Sequence, residues 1–130
     1  MFQNVLIAED QNTINKGVER TLNELNIPNV ITAQYCDDAL LKLKAALRTD
    51  LPFNLLITDL SFKADHRKRT LTSGEELIEA VKAIQPDLKI IVFSVEHRIG
   101  KIKSLIDTYD IDAYVEKGRE ESIELKKAIH

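Results

Sequence analysis

Leu55-Leu56-Ile57-Thr58-Asp59, near the middle of the chain, is an apolar, partly β-branched run that ends in a carboxylate. Three other segments follow the same plan. Val5-Leu6-Ile7-Ala8 runs into Glu9-Asp10, Ile90-Ile91-Val92-Phe93 into Ser94, and Ala113-Tyr114-Val115 through Glu116 into Lys117. Short, almost continuously apolar runs are the mark of parallel strands covered by helices on both faces. If these four are such strands, their polar ends meet at one edge of one sheet, where open α/β folds bind ligands.

The segments between them read as helices. Ile14, Val18, Leu22 and Leu25 recur at helical spacing, and Pro28 then breaks the chain. Val30-Ile31-Thr32-Ala33 is a further short strand. Asp37 or Asp38 is expected to cap the next helix, with Leu40, Leu43 and Leu47 facing inward. Pro52 precedes the third strand, near residues 54–58. Ser73, with Glu76 three residues on, has the form of a capping box opening a helix that carries Leu77, Val81 and Ile84. Pro86-Asp87 marks the turn into the fourth strand. A fourth helix is predicted from about His97, with Ile99, Ile102 and Ile106 on one face. The fifth strand is expected near 112–116, and a last helix from about Glu120 with Ile123, Leu125 and Ile129. The alternation predicts a (βα)5 doubly wound α/β fold, a five-stranded parallel sheet most simply in the order 2-1-3-4-5.

The 130 residues fit one domain, spanning 1–130. Apolar residues make up 44% and charged residues 30%, with a net charge of −3, which indicates no general attraction to nucleic acid or membranes. No apolar run approaches a membrane span, and Met1-Phe2-Gln3-Asn4 lacks the features of a signal peptide. Cytoplasmic residence is the expectation. Cys36 stands alone, without a partner for an internal disulfide or the spacing of a zinc site, and reads as a small packing residue. His66, His97 and His130 show no ligand spacing. The last helix ends without a terminating glycine, so the natural protein is expected to continue beyond His130, with this chain an excised domain.

Glu9, Asp10 and Asp59 would lie within a few ångströms of one another in such a sheet. Three carboxylates so close repel strongly unless a cation sits between them. Hard oxygen ligands favour Mg²⁺, which keeps several waters and takes one or two carboxylates plus phosphate oxygens. Alone, Glu9 and Asp10 could equally serve the start of the first helix, where negative charge is stabilised. Ser94 could simply end a strand, Lys117 could be a surface lysine, and Tyr114 could be a fixed aromatic.

Taken together, these residues resemble a response-regulator receiver domain of two-component signal transduction, and the likeness covers essentially the whole chain. In that family an acidic pair follows strand 1, matched by Glu9-Asp10. A phosphoacceptor aspartate ends strand 3, matched by Asp59. A Ser or Thr ends strand 4, matched by Ser94, and a lysine follows strand 5, matched by Lys117. An aromatic switch residue three before that lysine is matched by Tyr114. The resemblance implies that Asp59 takes a phosphoryl group from a phosphohistidine on a sensor histidine kinase or phosphotransfer protein. It implies Mg²⁺ held by Asp10, Asp59 and the Ser61 backbone carbonyl, with Glu9 acting through water. Lys117 and Ser94 would meet phosphoryl oxygens. Tyr114 would rotate inward and change the surface of the fourth helix, fifth strand and fifth helix, which is also a possible homodimer face. Such a protein is not an enzyme beyond its own phosphotransfer and dephosphorylation. No helix-turn-helix is present, so DNA binding cannot be read from these residues; the resemblance implies that DNA would be reached, to regulate transcription, only through a C-terminal output domain absent from this chain.

The chain departs from the family at three places. Gly118 stands where a proline after a cis peptide is usual. A cis bond before a non-proline residue costs roughly 3–4 kcal/mol, so a trans bond is expected, or a loop that holds Lys117 less firmly. About fourteen residues separate Asp59 from Gly74, with a basic run Lys63-Ala64-Asp65-His66-Arg67-Lys68-Arg69 that reads as a solvated loop or as a contact for an acidic partner. In the family the positions matched by Ser61 and Glu96 flank the path of an attacking water, which leaves phosphoryl lifetime open. These departures keep a second reading in play, a pseudo-receiver that binds partners without being phosphorylated. A haloacid-dehalogenase phosphatase would need a second Asp where Ser61 stands. A dinucleotide fold would need a Gly-rich loop after the first strand.

Overall fold

A computed structural model describes residues 2–60, 62, 71, 73–95, 98–118 and 120–129. The strands are β1 (Asn4–Ala8), β2 (Asn29–Ala33), β3 (Leu55–Thr58), β4 (Lys89–Ser94) and β5 (Ala113–Glu116). The helices are α1 (Asn12–Glu24), α2 (Cys36–Leu47), α3 (Gly74–Ile84), α4 (Ile99–Tyr109) and α5 (Glu121–Ile129). All four strand pairings are parallel and the order is β2-β1-β3-β4-β5, the doubly wound sheet that the alternation predicts.

Period-two alternation within the strands splits the core into two layers. Leu6, Leu56, Ile90 and Val92 face one side and pack with residues of α2, α3 and α4. Val5, Ile7, Ile57, Ile91 and Phe93 face the other and pack with Val18 and Leu22 of α1 and Leu125 and Ile129 of α5. β1, β3 and β4 are buried along almost their whole length, whereas β2 lies at an edge and is exposed at alternate positions.

Ser73 caps α3 as expected, its Oγ accepting the Glu76 N–H at 3.2 Å. The cap of α2 differs from the expectation. Tyr35 is the N-cap, and Asp37 and Asp38 fall within the first turn. There the helix dipole favours their negative charge, and Asp37 Oδ1 accepts the Leu71 N–H at 2.9 Å. Cys36, Ala39 and Leu43 form the inward stripe of α2, and Leu47 turns outward. The small residues at 36 and 39 let the helix lie close to the sheet. Likewise Ile84 and Ile123 are exposed, and Ile78 takes the core position on α3. On α4 the isoleucine face is not the core face. Leu105 is buried, while Ile99 is 82% exposed and Ile106 43%. His97, where that helix was expected to begin, lies outside the described residues.

Candidate metal and phosphoacceptor site

Register brings the site together. Ala8 pairs with Thr58, so Glu9 and Asp59 leave neighbouring strands side by side. β4 runs on past β3 to Ser94, which pairs with Glu116, and Lys117 follows directly. The Lys117 N–H donates to the Ser94 carbonyl at 2.8 Å, which ties the ends of β4 and β5. Glu9, Asp59 and Ser94 are all buried.

The Lys117 ammonium donates to Glu9 Oε2 and to Asp59 Oδ2, each at 2.9 Å, and lies 5.6 Å from the centroid of the Phe93 ring. The Lys117–Gly118 bond is trans, and the lysine is nonetheless held firmly by two carboxylates. Asp59 Oδ1 accepts the Leu60 N–H at 2.7 Å. Glu9 is fixed on several sides. Its N–H donates to the Ala33 carbonyl, its Oε1 accepts the Gln11 N–H, and its carbonyl accepts from the Asn15 amide.

Carboxylate oxygens of Glu9, Asp10 and Asp59 lie within 4.8 Å of one another. Glu9 and Asp59 share the Lys117 ammonium, and three carboxylates this close favour a further cation among them. An all-oxygen, partly solvated set with one half-buried member fits Mg²⁺ better than a softer metal. The Ser61 carbonyl, the fourth ligand expected from the sequence, lies outside the described residues, as do Glu96 and the basic run 63–69.

Burial pushes the Glu9 carboxyl up to about 7 from its ordinary 4.5, against the downward pull of the Lys117 hydrogen bond and with help from the Asp59 charge. For Lys117, burial works to lower its pKa, but the bonds to Asp59 and Glu9 outweigh it and hold the ammonium above its ordinary range. Between 4.5 and about 7 the folded chain keeps a proton on Glu9 that the unfolded chain has lost. The stabilisation from Glu9 is therefore complete below the lower value and is lost as pH rises through the upper one. Melting without divalent cation is expected to show a midpoint that falls between about pH 5 and pH 8. Glu9→Gln should remove that component, and Mg²⁺, which favours the ionised carboxyl, should offset it. An unchanged slope in the variant would contradict this.

Three contributors escaped the sequence reading. Phe93 gives the lysine an aromatic face. Gly74 lets the start of α3 approach the end of β3, where its N–H donates to the Leu60 carbonyl at 2.9 Å. Asn15 reaches the Glu9 carbonyl at 2.7 Å. Only the glycine left a trace, as the first residue after the Ser73 cap.

The fold and this edge constellation define a class: the chain has the receiver-domain fold of response regulators. It is similar to the RcsB response regulator of Salmonella typhimurium, with 28% identity and a TM-score of 0.77 over 98% of this chain. It spans 57% of that longer chain. The isolated REC domain of RcsB from Salmonella enterica serovar Typhimurium, in the presence of the phosphomimetic BeF3−, matches 98% of this chain with 28% identity and a TM-score of 0.73, and 85% of that chain is covered. A signal receiver domain of an HD domain-containing protein from Pseudomonas fluorescens Pf-5 shares the fold at 19% identity, with a TM-score of 0.76 and coverage of 99% and 92% of the two chains. No family model matches the sequence, and no curated protein matches it.

Proposed function

We propose that the chain is the receiver domain of a two-component phosphorelay, phosphorylated on Asp59 by a sensor histidine kinase or phosphotransfer protein. The observation that carries this reading is the Lys117 bridge to Asp59 and Glu9 beside the three-carboxylate cluster. An Asp59 carboxylate oxygen would attack the phosphorus of a phosphohistidine. A P–O bond forms, the P–N bond breaks, and the imidazole leaves as the neutral base once it takes up a proton. Mg²⁺ held by Asp10 and Asp59, with Glu9 near, would neutralise negative charge as the phosphoryl group passes. Lys117 already lies at the reacting carboxylate and would meet a phosphoryl oxygen as a compact charge. The buried Ser94 hydroxyl would meet another. The protein turns over no external substrate in this reading.

The output face is a groove of about 610 Å³ lined by Ile102, Ile106, Tyr114, Val115, Glu116, Glu120 and Glu124. Tyr114 is half-buried there, one side against the core and the other on the groove. Inward rotation of Tyr114, drawn by Ser94 once phosphate arrives, would change the shape of that groove for a partner or a second copy. The ligand must contact the two arrangements differently for any such shift. RcsB is found in complex with DNA. For this chain, transcriptional control would run through an attached DNA-binding domain. Action in the cytoplasm is part of the proposal, and no helix among the described residues is long and apolar enough to cross a membrane.

Titration with beryllofluoride and Mg²⁺, followed by amide NMR, tests the switch. Shifts are expected at residues 59, 94 and 117 and, beyond the site, at 102, 106 and 114. Shifts confined to the site would favour a phosphorylated protein with another output. None at all would favour the pseudo-receiver, a binding module that keeps the fold.

A further inference from the structure

Asn15 occupies a core position. It shares the buried stripe of α1 with Val18 and Leu22 and is itself only 2% exposed. Helical periodicity calls for an apolar residue there, and leucine is also the better helix former. The amide is incompletely satisfied. Its Nδ2 donates to the Glu9 carbonyl at 2.7 Å, and its Oδ1 finds no hydrogen-bond partner among the described residues. A buried acceptor without a donor is destabilising. Such breaches of the folding rules gather at functional sites.

The bond it does make lies at the head of the acidic loop. The Glu9 carbonyl and the Asp10 N–H belong to one rigid peptide plane. The Glu9 N–H is already fixed on the Ala33 carbonyl at 3.0 Å, and the Gln11 N–H on Glu9 Oε1 at 3.2 Å. Asn15 adds the hold on the plane between them, from which the Asp10 side chain departs. We propose that Asn15 is a positioning residue for the carboxylate cluster, gripping the Glu9 carbonyl so that Asp10 is presented to a divalent cation beside Glu9 and Asp59. This rests on the Mg²⁺ site of the proposed function. Removing a group that orients the ligands of a metal site commonly weakens its affinity by about ten- to a hundred-fold.

The two possible duties of Asn15 separate in one substitution. Asn15→Leu keeps the branched shape and suits the stripe, but it is larger and leaves the Glu9 carbonyl without the Asn15 donor, so some loss of melting temperature is expected whatever the duty of Asn15. If Asn15 serves the cluster, the Mg²⁺ dissociation constant of the variant, read by amide NMR titration well below its melting temperature, rises roughly ten-fold, while the amides of Val18 and Leu22 on the same stripe keep their order. The Asp10 amide loses order in the cation-free protein. Unchanged Mg²⁺ affinity with an unchanged Asp10 amide would overturn the proposal. So would a loss of order shared equally by the Asp10, Val18 and Leu22 amides, which describes a structural residue. Should Asn15→Leu fail to fold, the same readings on Asn15→Ala decide the matter. If the wild type itself takes no Mg²⁺, the metal reading fails, and the order of the Asp10 amide in the variant still judges the grip.

Discussion

Gly74→Ala is expected to destabilise the fold by about 3 kcal/mol, at the upper end of what an added core methyl costs, and to disrupt the site with it. A Cβ at Gly74 would stand 1.9 Å from the Asp59 carbonyl oxygen and 2.8 Å from both the Asp59 carbonyl carbon and the Leu60 Cα. All three are backbone atoms, so no side chain can swing aside to make room. That carbonyl is already engaged by the Thr58 hydroxyl at 2.8 Å, inside the core. Relief requires either α3 to lift from the sheet edge or Asp59 to move. Either motion breaks the Gly74 N–H bond to the Leu60 carbonyl and shifts Asp59 relative to Lys117. Chemical denaturation gives the stability, and the beryllofluoride response gives the site. Gly100→Ala is the matched control, because a Cβ there meets nothing within 4 Å. Equal behaviour of the two variants would refute the close-approach argument.

Lys117→Met is expected to cost roughly 3–5 kcal/mol at neutral pH without divalent cation, the range found when one partner of a buried ion pair is removed. The lysine side chain is 9% exposed and bridges two carboxylates that are themselves 2% and 9% exposed. Methionine fills similar space, so the loss is one of charge rather than packing. It leaves Glu9 and Asp59 buried and facing each other with no cation. Two remedies should recover part of the loss: lower pH, which protonates a carboxyl, and Mg²⁺, which replaces the missing positive charge. Denaturation with and without Mg²⁺ checks this. A variant as stable as wild type, indifferent to the ion, would show that Lys117 does not neutralise the cluster.

The sheet, and the meeting of these polar residues at one of its edges, were legible in the sequence because both depend on strand ends. Apolar runs between turn residues fix β1, β3, β4 and β5, and parallel pairing then carries Glu9, Asp59, Ser94 and Lys117 to one edge without further information. Helix faces were less legible. Leu47, Ile84 and Ile123 fit the spacing yet turn outward, since helical periodicity names a face but not which neighbour covers it. On α2 small residues took the inward place because the helix lies close to the sheet. Asn15 could not be found from pattern at all. It is polar at a position where hydrophobic periodicity expects an apolar residue, and only its contact with the Glu9 carbonyl gives it meaning. Gly74 likewise reads as a cap neighbour until β3 is seen beneath it.

Intact mass after incubation with acetyl phosphate and Mg²⁺, beside an Asp59→Asn variant, addresses the phosphoacceptor most directly. One phosphoryl group is expected on the wild type, none when Mg²⁺ is withheld, and none on the variant. An adduct that persists in Asp59→Asn, or that forms equally without Mg²⁺, would contradict the assignment of Asp59 and its carboxylate neighbours as the phosphoacceptor site.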